Sequence, residues 1–158
     1  VVKGVSFFRG VPDISGKNIL RLEIRRPAQG ASAMRYGDDL YYGGARVGLY
    51  FSPLQTGEKS IRGYELFKEI EALGGSFSSK LLDECMANPS LWPERWKVAS
   101  RGDNPDIVYF FGTLYCHTET GEIYVRGGTW DDGRVSGDIS PLRELWDKSN
   151  PVAMPATD

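Results

Sequence analysis

The chain has 158 residues, 41% of them hydrophobic and 25% charged, with a formal net charge of −2. That balance excludes a disordered or fibrous class, and the length suits one domain able to bury its own core. No apolar run approaches the roughly 18 to 20 residues that a membrane-spanning helix needs, so no membrane partner is expected.

The opening VVKGVSFFRG is interrupted by Arg9 and Pro12 too early for a signal peptide. Cys85 and Cys116 are too few for a disulfide framework, and each lies in an apolar pattern. They are expected to be reduced core residues of a cytoplasmic protein. Charge is uneven along the chain: nine basic residues face five acidic ones up to Lys59, and ten face sixteen beyond it. An acidic C-terminal part favours a basic partner.

Between residues 18 and 26, Leu20, Leu22 and Ile24 alternate with Arg21, Glu23 and Arg25, the period of a strand with one wet face. Residues 27–45 hold Pro27, four glycines and Asp38-Asp39, follow neither period, and are expected to form a long loop or irregular hairpin. Alternation resumes over 46–51 and stops at Pro53. From Ser60 the spacing turns helical, with Ile61, Tyr64, Phe67, Ile70 and Leu73 broadened by Leu66. Ser60 suits the N-cap and Gly74-Gly75 the stop. A second helix is expected over about 79–87, closed by Asn88-Pro89, and the short link makes the two helices an antiparallel or steeply crossed pair.

The next stretch, NPSLWPERWK, places Trp92, Pro93 and Trp96 where they can cross a sheet edge and seal the core. Residues 107–116 are apolar at both parities, the mark of a central strand covered on both faces. A turn over 118–121 leads to a returning strand over 123–130, and Asp132-Gly133 signals a type I′ hairpin into a half-exposed strand over 134–139. Pro141, Leu142, Leu145 and Trp146 suggest a short helix before Asn150-Pro151. The elements predict a single α+β domain over 1–158. Its antiparallel sheet draws on both halves, with the helix pair of residues 60–87 packed on one face, a β-rich part over 1–59, and a β-meander with a short helix over 88–158.

Chemistry is sparse. His117 is the only histidine and lies far in sequence from Cys85, so no metal-ligand spacing exists and no metal is expected. Cys116 and His117 are neighbours on a strand and point to opposite faces, which prevents a dyad. Gly43-Gly44 and Gly127-Gly128 lack the context of a phosphate loop. Arg21, Arg25, Arg26 and Arg35 with Tyr36, Tyr41 and Tyr42 would suit base stacking, but a pI near 5.5 argues against nucleic acid.

On its helix pair, NPSLWPERWK, YFFGTLY, IYVRGGTWDDG and WDKSNPVA, the stretch 64–153 resembles an uncharacterised bacterial α+β module. That resemblance implies a fold and no established activity. The chain departs from the module after Gly133, where RVSGDIS replaces an aromatic-rich strand. The N-terminal third, through Phe8-Arg9-Gly10, Tyr42-Gly43-Gly44 and VGLYFS, resembles NAD-consuming toxins of the RES type or ADP-ribosyltransferases. This second resemblance implies NAD as ligand, Arg9 on its pyrophosphate, Tyr50 and Ser52 lining the nicotinamide pocket, and Glu65 stabilising charge on the ribose, with Glu69 and Glu71 as substitutes. An oxocarbenium-like centre needs such an anion. Ala45 stands where the RES pattern has an arginine.

The leading expectation is a non-enzymatic protein-binding module of immunity or inhibitor type, bacterial or phage-borne and without a cofactor. It would present acidic turns at Glu119, Glu122, Asp131 and Asp132 to a basic partner, and the loop over 27–45 is the other place for a functional surface. The alternative is the NAD-consuming toxin.

Overall fold

The computed structural model describes residues 18–97 and 106–157. Ten strands and two helices are present among them. Strands β1 (Ile19–Glu23), β2 (Ala33–Tyr36), β3 (Asp39–Tyr42), β4 (Ala45–Tyr50) and β5 (Ile61–Arg62) precede helices α1 (Gly63–Ala72) and α2 (Ser79–Ala87). Then follow β6 (Val108–His117), β7 (Ile123–Asp131), β8 (Arg134–Pro141), β9 (Leu145–Trp146) and β10 (Val152–Pro155). The main sheet runs β2-β3-β4-β10-β6-β7-β8, with β1 also paired to β6, while β5 and β9 form a two-stranded ribbon. Every pairing is antiparallel except β10 with β6. The fold is thus α+β, a largely antiparallel sheet with the helix pair packed against it.

The strand β10 joins the halves. It pairs with β4 on one side and β6 on the other, closing the N-terminal meander onto the C-terminal one. Val152 and Ala153 are fully buried there. Four residues that include a proline carry no period, so nothing in their sequence marks them as a strand.

The residues of β6 divide by parity between two clusters. Val108 and Phe110 pack with Leu81, Leu82 and Cys85 of α2 and with Trp92 and Trp96. Tyr109 and Phe111 pack with Leu66 and Ile70 of α1 and with Trp146 and Val152. A strand covered on both faces is the expected arrangement for its sequence. Register shifts between Tyr109 and Leu114. Gly112 lies in this irregularity with its N–H bonded to the Phe77 carbonyl at 2.9 Å. A Cβ on Gly112 would fall 2.5 Å from the Phe77 carbonyl carbon, so the close approach of the interhelix link requires glycine.

The Trp92 segment seals the core as its composition suggests. Both indoles are buried, edge to face at 5.1 Å, and Trp92 Nε1 donates to the Trp96 carbonyl at 3.3 Å. Arg35 of β2 clamps the segment by donating to the carbonyls of Ser90 and Trp92, both at 3.0 Å. Asp38 accepts from the Glu94 N–H at 2.7 Å and from Arg95 at 3.1 Å. The outer edge of β2 is also engaged, since the Ala33 N–H donates to Glu84 of α2 at 2.8 Å. Covering an edge strand in this way limits its pairing with other chains.

Three expectations need correction. Residues 27–45 are neither a long loop nor an irregular hairpin: 33–36 and 39–42 pair regularly around a two-residue turn. Ser60 does not cap α1. Ile61 and Arg62 are held as a strand against Trp146 and Leu145, and the helix starts at Gly63 with no side-chain cap. The three-residue spacing also drifts around a 3.6-residue helix, so Leu66 and Ile70 are buried while Tyr64 and Leu73 are 39% and 57% exposed. Finally, no helix follows Pro141. That residue ends β8 opposite Tyr124, and Trp146 pairs with Ile61 instead of completing a helical turn. Asp132-Gly133 forms the expected tight turn, with φ of 50° and 81° between the paired Asp131 and Arg134.

Candidate functional sites

Two regions bring chemically useful side chains together. The first is at the end of β4. Two residues after β4, Ser52 caps a 3₁₀ turn over Pro53–Gln55, with its hydroxyl accepting from the Leu54 N–H at 3.1 Å. The Ser52 hydroxyl also bonds one Glu69 carboxylate oxygen at 3.0 Å, and the Tyr50 hydroxyl donates to the other. Burial, followed by the hydrogen bond to Glu69, pushes the Tyr50 phenol up to about 12.

The acid that meets Tyr50 and Ser52 is therefore Glu69. Glu65 faces solvent one turn earlier, paired with Lys68 at 3.4 Å. Glu71 lies elsewhere on α1, with one buried oxygen lacking a hydrogen-bond partner. Arg9 falls outside the described residues. Glu69 differs from Glu65 by four positions, so both fit the helical sequence, and only the path of the chain after Ser52 selects between them.

Tyr50 also lines a groove of ≈ 420 Å³ between β4, the C-terminal end of α1 and β10, with Leu49, Leu73, Met154 and Pro155 among its walls. A smaller hollow of ≈ 170 Å³ adjoins it across Pro155 and is lined by Arg25, Arg26, Tyr42 and Phe77.

The second region is acidic. A shallow depression of ≈ 450 Å³ is lined by Asp106, Trp130, Asp131 and Asp138. A polar cleft of ≈ 200 Å³ continues from it through the shared Ile107 and Asp138 to Ser140, Glu144, Trp146 and Asn150. Four carboxylates from the start of β6, the β7–β8 hairpin and the segment after β8 thus line one concave surface. Among the described residues lining it, no lysine or arginine occurs. The Tyr109 hydroxyl, 2.9 Å from Ser140 Oγ and 3.5 Å from Asp138, forms part of the cleft floor. Lys97 stands 4.1 Å above the Trp130 ring and bonds Glu94, which fixes the indole at the rim.

The expected acidic residues occupy separate places. Asp131 belongs to the concave surface, and Asp132 sits at the tip of the hairpin beside it. Glu119 and Glu122 lie beyond the other end of β7, a strand of nine residues and roughly 26 Å at about 3.3 Å per residue. Both Glu122 oxygens accept from Arg143 Nε at 3.0 Å. Asp138 and Glu144 were not singled out by the sequence. The signal available was Asp138 on the polar parity of its strand; nothing local points to Glu144, which arrives through the β5–β9 pairing.

The remaining reactive groups do not assemble. Cys85 is buried, which pushes its thiol up to about 12, and Cys116 is a free thiol. Among the described residues, no three of His, Cys, Asp or Glu are placed to hold a metal ion. No helix among them is long and apolar enough to cross a membrane. The basic and aromatic residues of β1 to β3 are dispersed: Arg21 pairs with Glu23 at 2.6 Å, and Arg35 is spent on the Trp92 segment. The chain matches no protein-family model, and no curated protein or solved structure matches it.

Proposed function

We propose that the protein is a non-enzymatic binding module of immunity or inhibitor type that takes basic side chains of a protein partner on its acidic concave surface. One observation carries this reading: Asp106, Asp131, Asp138 and Glu144 converge on adjoining hollows with the partly buried Trp130 at the rim. Low-dielectric walls focus such a field, and an aromatic rim adds apolar contact to the stems of lysine or arginine. Charge of this kind raises association rates and enforces selectivity. Capture from extracts of the native host, with wild type and an Asp131→Asn/Asp138→Asn variant side by side, tests it. A partner retained at low salt by wild type and lost by the variant is expected; identical captures by both would refute it.

A second reading, the NAD-consuming toxin, is favoured by the meeting of Tyr50 and Ser52 on a glutamate of the following helix. In this form Glu69, not Glu65, is the anion that would face developing positive charge. Incubation of the purified protein with NAD decides it. Nicotinamide release that disappears in Glu69→Gln is the supporting result, and absence of release ends the reading.

A further inference from the structure

We propose that the groove between β4, β10 and the end of α1 binds a single-chain acyl carboxylate, with its chain on the apolar walls and its head on Arg25 and Arg26. The inference rests on neither functional reading above. At ≈ 420 Å³ the groove falls within the range of small-ligand sites, about 300–1,000 Å³. Its walls are aliphatic: Leu49, Leu73, Met154, Pro155 and Ala156, of which Leu73 is 57% exposed at the end of its helix.

The cationic end is equally defined. A Cβ on Gly75, in the groove wall, would fall 2.3 Å from Arg25 Nε, so the guanidinium lies directly over that backbone. Arg25 and Arg26 both line the adjoining hollow, and among the described residues neither has an acidic partner. An apolar trough ending at two guanidinium groups complements an anion with an aliphatic tail.

Other ligands fit less well. β10 is paired along its whole length with 47–50 of β4, so a peptide cannot add as a strand between them beneath the groove. Among the described residues, Tyr50 and Thr157 supply the only polar side chains of the larger groove, and the Tyr50 hydroxyl is engaged by Glu69. A dinucleotide would therefore find few partners for its ribose hydroxyls.

The test is calorimetric titration of the whole chain with octanoate, decanoate and dodecanoate below their micelle concentrations, with NAD as the competing ligand. Saturable one-to-one binding is expected, tightening about fourfold per added methylene. Arg25→Gln/Arg26→Gln is expected to weaken decanoate about tenfold, and Leu73→Asp to remove binding. These side chains are exposed, so an unchanged melting temperature checks that the variants fold. No saturable binding of any carboxylate, equal affinity in wild type and the arginine variant, or binding of NAD without binding of decanoate would each overturn the proposal.

Discussion

Replacing Trp92 by alanine tests how the two halves are sealed. The indole is fully buried, packs edge to face on Trp96, and lies in one cluster with Leu82, Cys85, Val108 and Phe110. Truncation removes the transfer free energy of the ring and leaves a cavity that neighbouring backbone cannot fill. Arg35 and Asp38 hold that backbone through bonds to Ser90, Trp92, Glu94 and Arg95. Buried tryptophan-to-alanine changes cost about 3–5 kcal/mol. For a chain of this size each kcal/mol corresponds to about 2–4 °C in Tm, so a fall of roughly 6–20 °C is expected. Thermal unfolding followed by far-UV circular dichroism, with Trp130→Ala as the comparison, provides the measurement. Trp130 is only partly buried and should cost less. A Trp92→Ala protein melting within about 2 °C of wild type would refute the placement.

Gly112→Ala should destabilise by about 1–3 kcal/mol, because the new Cβ meets Phe77 backbone that cannot rotate aside; chemical denaturation measures it. The Tyr50 phenol should titrate near 12 by absorbance and fall only part of the way toward 10 in Glu69→Gln, because burial, the larger cause, remains. Since its folded-state value is raised, its contribution to stability is present below pH 10 and is lost as pH rises through 12, and Glu69→Gln should flatten that loss. The Cys85 thiol, buried and raised to about 12, should resist thiol reagents at pH 8 until the protein unfolds, while Cys116 is the accessible one. Removing residues 152–158 should abolish cooperative unfolding, because β10 is the strand that joins the two meanders.

Elements whose signal is local were legible in the sequence. The double-faced apolar run of β6 and the Asp132-Gly133 turn each contain their own reason. So do Gly74 and Gly75 after α1, both at positive φ. Elements defined by distant partners were not. Val152–Pro155 becomes a strand only because β4 and β6 leave a gap of its width, and Leu145–Trp146 is extended only because Ile61–Arg62 lies beside it. Even the four-residue strands of the β2–β3 hairpin look like loop until Arg35 and Ala33 are seen tied to the Trp92 segment and α2. The same division runs through the sites. The meeting of Tyr50 and Ser52 was implied by resemblance, but the acid they meet depends on how the chain turns after Ser52. Asp131 was visible as a hairpin acid, while its neighbours Asp106, Asp138 and Glu144 come from three segments that only folding brings together.

We propose this acidic concavity as the working surface. Affinity capture at low salt, with wild type, Asp131→Asn/Asp138→Asn and Glu119→Gln compared at equal folded concentration, tests it most directly. A partner captured by wild type and by Glu119→Gln, released by salt, and absent from the double variant is expected. Capture that is unchanged in the double variant, or lost only in Glu119→Gln, would contradict it.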